Sequence, residues 1–443
     1  MILLFASALA ADFDPVALAG PAYSTGDPSA VTAGWMDPAV RPLIDEALTS
    51  NHDLAAVREA AEVARQAAAG ARSVLLPGAS LDGAWSTSNT ASLTAQGFQT
   101  QGLPDTYQSA SLSLGATWLV DVFGGARLSW RASRWDAEAA RGDLQAAELS
   151  VASGVAGAWY DLLAAREQEA IAERRVAASD ELLELVELRY ERGDASALEL
   201  LQQRQEAAST RTSLPSAQLA VRASETVVAV LVGRSPTDPV PSAASLPDLG
   251  GAPSVGAPAD LVDARPDLRA AQADLEAAEA RQRAASRAFA PTIAASAFTG
   301  QTGRYFDDWS TTESWTVGAS ASLPLFSGGA NLAGFQAARA ATSASEHAMA
   351  SAFLSAVQDV EIALASEAQT RATASAAATQ LQAAQLAFDE ARRQYADGLT
   401  SYLTVLSTHQ ALRGAELTDL SARRDVLSAR ISLLDALGAG LTE

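Results

Sequence analysis

The chain has 443 residues, 31 basic against 52 acidic side chains, a formal net charge of −21 and no cysteine. That charge balance excludes the basic stripe that a nucleic-acid partner requires. The missing cysteine excludes a disulfide framework, a thiolate metal site and a thiol nucleophile, and it removes the acceptor of a lipid anchor. Every basic residue is Arg, interleaved with Glu and Asp along helical stretches as on solvated, ion-paired faces.

Residues 1–10 form an apolar run closing on Ala8-Leu9-Ala10, a small-x-small pattern that reads as a signal peptide lacking its basic start. An extended segment covers 11–41, and a helix is expected over about 42–75. Period-two alternation then runs through Leu81, Gly83 and Trp85 and through Leu112, Leu114, Ala116, Trp118 and Val120, giving a β-hairpin over about 79–120. No proline interrupts 105–214, so a helix can run unbroken over 125–191, which at about 1.5 Å per residue is roughly 100 Å. Val151, Val155, Trp159 and Leu162 mark its packed seam. Gly193 followed by Ser196 reads as a helix stop and a new start, after which the chain returns to Gly233 in a helix that Pro215 is expected to interrupt. This first repeat spans 42–235.

Seven prolines between Pro236 and Pro266 mark 236–265 as a linker. The second repeat, 266–438, begins with a helix over about 266–289. Ile293, Ala295 and Ala297, then Val317, Ala319, Ala321, Leu323 and Leu325 alternating with small polar residues, give a second hairpin over about 292–326. A second Pro-free helix carries Phe353, Val357, Val360 and Leu364, stops at Gly398 and restarts near Ser401, leaving a tail at 439–443. The halves are copies: Asp53-Leu54 and Pro77 recur as Asp267-Leu268 and Pro291, and Tyr190, Gly193, Leu198, Leu201, Gln205 and Gly233 recur as Tyr395, Gly398, Leu403, Leu406, Gln410 and Gly438.

No uncharged run of large apolar residues outside residues 1–10 is long enough for a transmembrane helix, so a membrane would be crossed by strands. Strands with one apolar and one small polar face, with aromatics near their ends, match a transmembrane barrel wall. Four cannot close a barrel, for which about eight is the minimum, so oligomerisation is required. The rival reading is a soluble coiled-coil scaffold, which accounts for the helices but not for hairpins at equivalent places in both halves.

Leu119-Val120-Asp121-Val122-Phe123-Gly124, Ala264-Arg265-Pro266-Asp267-Leu268, Leu323-Pro324-Leu325-Phe326-Ser327-Gly328-Gly329 and Tyr402-Leu403-Thr404-Val405-Leu406 resemble, in order and spacing, the outer-membrane factor (TolC-like) family, in the branch serving resistance-nodulation-division efflux pumps. The resemblance implies a mainly α chain with a β-barrel part. In a homotrimer, four strands per chain form a 12-stranded outer-membrane barrel continuous with a long periplasmic α-helical barrel. It implies an exit duct whose partners are a periplasmic adaptor, an inner-membrane pump and outer-membrane lipid, with no enzymatic activity and no cofactor. By the same resemblance, Gly193, Asp194, Ala195, Gly398, Leu399 and Thr400 are adaptor-contacting tips, and Leu399, Leu403 and Ser407 form the periplasmic gate. Ser407 stands where relatives often carry an aspartate, which favours an apolar constriction at Leu403, with its duplicate Leu198 packed inside its own hairpin. His52, His347 and His409 lack metal-ligand spacing and read as surface or interface residues, and paired Asp307-Asp308 reads as a solvated loop.

Overall fold

The computed structural model describes residues 38–91, 104–241, 245–247, 255–305 and 309–438, with single positions at 95, 97, 99 and 101. The signal segment, most of the N-terminal extended segment, part of the Pro-rich linker, Asp307-Asp308 and the tail lie outside the described residues.

In chain order come α1 (Val40–Ser50), α2 (His52–Arg72), a 3-10 turn, β1 (Gly78–Asn89), β2 (Thr106–Val120), α3 (Gly125–Glu191) and α4 (Ala197–Leu231). The second half supplies a short α5 (Leu261–Ala264), α6 (Pro266–Ser286), a second 3-10 turn, β3 (Thr292–Tyr305), β4 (Trp309–Ser322), α7 (Ala330–Ala396) and α8 (Tyr402–Ala436). The long helices have 67 residues each and the return helices 35 each. All four begin and end at positions 205 apart, so the duplication is one of backbone as well as of sequence.

Two compact units divide the chain, each drawing on both repeats: one is Met1–Ala60, Gly142–Arg269 and Ala350–Glu443, the other Ala61–Arg141 and Ala270–Met349. The second unit holds a four-stranded antiparallel sheet in the order β1-β2-β3-β4, which leaves one edge of β1 and one of β4 unpaired. Its register puts Leu81, Leu114, Thr299 and Trp315 in one row and Ala79, Ala116, Ala297 and Val317 in the next, on one face. Asp82, Ser113, Gly300 and Ser314 share a row on the other face, as do Ser111, Thr302 and Thr312. The apolar face has no cover among the described residues: Leu81 is 68% exposed, Trp85 67%, Trp315 77% and Val317 73%. Helical packing in this unit relies on small residues, with Ala132, Ala139, Ala273, Ala277 and Ala280 buried.

The hydrophobic clusters of large residues lie in the first unit. Trp159, Tyr160, Leu162 and Leu163 of α3 join Val40, Leu43 and Ile44 of α1, Val228 of α4 and Leu427 of α8 in one core cluster, and Phe353, Val360 and Leu364 of α7 pack with Leu268 and Leu433 in another. Arg430 and Glu367 form a buried ion pair, with side chains 0% and 4% exposed.

The strand-to-helix turns follow from backbone geometry. Gly124 has φ 79° and Gly328 and Gly329 have φ 61° and 88°, with open space where a Cβ would stand, so left-handed backbone alone demands glycine there. Asp121 then caps α3, its carboxylate accepting from the amides of Ala126 (3.1 Å) and Arg127 (2.9 Å).

Four expectations need correction. The first helix breaks at Asn51, whose extended backbone (ψ 125°) stops α1 while its side-chain oxygen accepts from Leu54 N at 2.9 Å and its amide donates to Leu231 O at 2.8 Å. Pro215 does not interrupt α4, which runs through it. Hydroxyls of Thr210, Thr212, Ser213 and Ser216 donate to the carbonyls of Glu206, Ser209, Thr210 and Ser213, so the helix around the proline adds side-chain bonds to its backbone ladder. β4 ends at Ser322, leaving Leu323 and Leu325 beyond it. Finally, α7 is long and apolar enough by composition to cross a membrane, with 33% of its most apolar window buried. Its hydropathy rests largely on alanine, and its large residues Phe353, Val360 and Leu364 lie in a packed core.

Candidate functional site

The two hairpin tips of the first unit are built alike. At each, the long helix ends in a paired set of backbone bonds around a left-handed glycine: Gly193 N to Tyr190 O (3.0 Å) with Asp194 N to Arg189 O (2.9 Å), and Gly398 N to Tyr395 O (3.0 Å) with Leu399 N to Gln394 O (2.8 Å). Gly193 (φ 82°) and Gly398 (φ 73°) face open space at the Cβ position, so conformation and not crowding requires them. The restarts differ. Ser196 accepts from Glu199 N (3.2 Å) while the Glu199 carboxylate accepts from Ser196 N (3.1 Å), a complete capping box. At the second tip Thr404 replaces that Glu, and the Ser401 side chain caps no amide.

Behind the tips the four long helices are tied by polar side chains within an apolar cluster of Leu182, Val186, Leu200, Phe388, Tyr395, Tyr402 and Val405. The Tyr402 hydroxyl of α8 donates to Gln203 Oε1 of α4 at 2.9 Å, and Gln203 Nε2 donates to Ser179 O of α3 at 2.9 Å. All three residues are buried. Tyr402 meets Tyr395 of α7 edge-on at 6.2 Å, and the Arg189 guanidinium lies 4.3 Å from the Tyr395 ring centroid while also donating to the Tyr395 carbonyl. Burial pushes both phenols above their ordinary range.

Further along, His409 of α8 is 5% exposed and stacks on Phe388 of α7 at 5.0 Å. Burial holds its imidazole below the ordinary histidine range, with Glu206 and Glu416 opposing that shift and Arg175 and Arg413 adding to it. Arg175 Nε donates to Glu416 at 2.8 Å, and Arg413 lies 3.8 Å from Glu206.

Of the expected gate residues, Leu399 is 75% and Leu403 63% exposed. Leu399 sits in the turn ahead of α8, Leu406 is half-buried, and the exposed Ser407 donates its hydroxyl to Thr404 O of its own helix at 2.9 Å. Leu399 and Leu403 are therefore exposed from different elements, one from the turn and one from the helix. Leu198, expected to pack inside its hairpin, is 65% exposed, because the helix start that projects Leu403 outward is reproduced around Leu198. Among the tip residues, Asp194 is exposed, while Ala195 and Thr400 are half-buried. Sequence reasoning missed the Tyr402–Gln203–Ser179 chain and the burial of His409; His52 and His347 are exposed. Among the described residues no group of three His, Cys, Asp or Glu side chains is placed to hold a metal ion.

The model of the outer membrane efflux protein family matches residues 43–234 and 257–439, one copy for each repeat. The chain is 30% identical over 415 residues to the pyoverdine export outer membrane protein OpmQ of Pseudomonas aeruginosa, covering 91% of this chain and 85% of that protein. Among solved structures it superposes on the transmembrane channel CusC with a TM-score of 0.84 at 26% identity, covering 98% of this chain and all of that one. It superposes on the open state of the Neisseria gonorrhoeae MtrE outer membrane channel with a TM-score of 0.83 at 25% identity, covering 96% of each chain. These relatives are channels, which sets aside the coiled-coil scaffold. Matching in both repeats and over nearly its whole length, the chain belongs to the outer membrane efflux protein family.

Proposed function

We propose that three copies of this outer-membrane efflux channel subunit close one barrel, and that the assembled duct receives substrates from a periplasmic adaptor and an inner-membrane pump. The observation that carries the reading is the sheet: four strands, two unpaired edges, and an apolar face left bare in the single chain. An isolated sheet of that kind is an aggregation hazard in water and a barrel wall in lipid. Three copies in edge-to-edge register satisfy both edges, put the apolar face toward lipid and turn the Ser- and Thr-rich face to the lumen. Outer-membrane fractionation followed by cross-linking in detergent tests the assembly. A trimer recovered from that fraction is expected; a stable monomer, or protein wholly in the soluble fraction, overturns it.

At the tips, the 193–195 and 398–400 turns are the adaptor-contacting surface in this reading, and Leu403, with Leu399 and Ser407, lines the periplasmic gate. Support comes from the exposure of Leu399 and Leu403 in the single chain and from Ser407, which offers no carboxylate and whose hydroxyl is already bonded within α8. Such a constriction acts by dewetting. Leu198 is as exposed as Leu403, so the two positions are separated by experiment: Leu403→Ala raises single-channel conductance in a planar bilayer and Leu198→Ala leaves it near the parent value. Equal conductance of Leu403→Ala and the parent moves the closure elsewhere.

A further inference from the structure

We infer that the first three turns of α3 form a binding surface for anionic phospholipid headgroups, with Arg131 and Arg134 holding the phosphate and Trp130 seated among the headgroups. The inference rests on the reading above that the sheet lies in the outer membrane. Residues 125–135 contain three Arg, two Trp and no acid, within a chain of net charge −21. Arg127, Trp130, Arg131 and Arg134 recur at helical spacing and share one side of α3. Arg127 is engaged locally, 3.6 Å from the Asp121 carboxylate. Arg131 and Arg134 are exposed and have no carboxylate within salt-bridge distance among the described residues, whereas Arg65, Arg281 and Arg283 of the same unit are each paired with Glu62, Asp136 and Glu279. The Arg134 guanidinium lies 5.4 Å from the Trp130 ring centroid, which holds it beside an aromatic surface.

The fold does not require this stripe. The equivalent positions 205 residues on are Leu332, Phe335, Gln336 and Arg339, with a single cation. Position decides the class of partner. α3 starts five residues after Val120, the last residue of β2, and Arg131 stands about 9 Å and Arg134 about 14 Å along the helix from its first residue. Long Arg side chains span that interval back toward a bilayer surface. Exposed Arg287 extends the basic surface at the same level, its Cβ lying 3.4 Å from the Cβ position of Gly125. A guanidinium pairs with phosphate through two parallel N–H···O bonds, and Trp favours the boundary between hydrocarbon and headgroup.

The test is native mass spectrometry of the full-length protein, extracted from the outer membrane, titrated with phosphatidylglycerol, phosphatidylcholine and inorganic phosphate. The parent is expected to retain phosphatidylglycerol in preference to phosphatidylcholine, and Arg131→Gln with Arg134→Gln to lower that preference by about fivefold per Arg removed. Arg131→Lys with Arg134→Lys keeps most of it, and Arg211→Gln, in the other unit, keeps all of it. Should the double Gln variant not assemble, the two single Gln variants carry the same expectation. No lipid preference in the parent, an unchanged preference in the assembled Gln variants, or displacement of the lipid by millimolar phosphate overturns the inference. Failure of the underlying membrane reading shows earlier and differently, as absence of the parent from the outer-membrane fraction.

Discussion

Replacing Tyr402 by Phe tests whether the polar chain behind the tips holds the four helices together. The substitution deletes one hydroxyl, keeps the ring and its edge-on contact with Tyr395, and leaves Gln203 Oε1 without its 2.9 Å donor. Gln203 is 0% and Tyr402 1% exposed, so water does not replace the lost donor. A buried acceptor left unsatisfied costs about 1–3 kcal/mol. If the tip opens locally, that cost lowers amide protection by roughly 5- to 150-fold over the start of α4 and of α8, with distant segments unchanged. Tyr395→Phe is the internal contrast: the Tyr395 hydroxyl is buried with no hydrogen-bond partner among the described residues, so its removal is neutral or stabilising. Hydrogen exchange on the two variants beside the parent measures both. Unchanged protection in Tyr402→Phe, or a larger loss in Tyr395→Phe, would refute the assignment of the tip's stability to this chain.

His409 predicts a pH dependence. Its folded pKa lies below the unfolded value near 6.5, so between the two the unfolded chain binds more protons. Stability is therefore full above about pH 6.5 and falls as pH drops through the interval below it; in thermal unfolding from pH 8 to 5, His409→Gln should flatten this part of the curve, and an unflattened curve assigns the acid sensitivity to other groups. Pro215→Ala restores a backbone donor within α4 at an exposed position. The intrinsic difference is up to about 3 kcal/mol in favour of Ala, so a raised melting temperature is expected, and a lowered one means that α4 is shaped around the proline.

Much of the backbone was legible because a few residue types dictate it. Alternation through Leu112, Leu114, Ala116 and Trp118 marks a strand with two unlike faces whatever surrounds it, and Gly193 and Gly398 mark turns because other residues resist positive φ. What escaped depended on distant partners. The break at Asn51 is sealed by Leu231 O, 180 residues away, and nothing local announces that partner. Pro215 carried its usual local warning, yet the surrounding helix kept its course. His409 is buried because Phe388 of α7 covers it and Glu206 of α4 and Arg175 of α3 face it, so its environment is a property of the bundle and not of its neighbours in sequence.

The duplication sharpens the distinction between backbone and environment. Tyr190 and Tyr395 occupy equivalent positions at the ends of equivalent helices, yet Tyr190 is 44% exposed and Tyr395 1%. Likewise Leu201 is 62% exposed where Leu406 is half-buried. Equal backbone turns follow from equal glycines; unequal burial follows from which face of each hairpin meets the other, and that depends on the packed whole. The two tips are consequently held by different means. The first has its own capping box, Ser196 with Glu199, a local device of about 0.5–2 kcal/mol. The second lacks that device and draws its order from Tyr395 and Tyr402, which engage Arg189 and Gln203 of the first hairpin. A perturbation that parts the hairpins is therefore expected to loosen the tip bearing Leu399 and Leu403 while leaving the Ser196–Glu199 cap of the other intact.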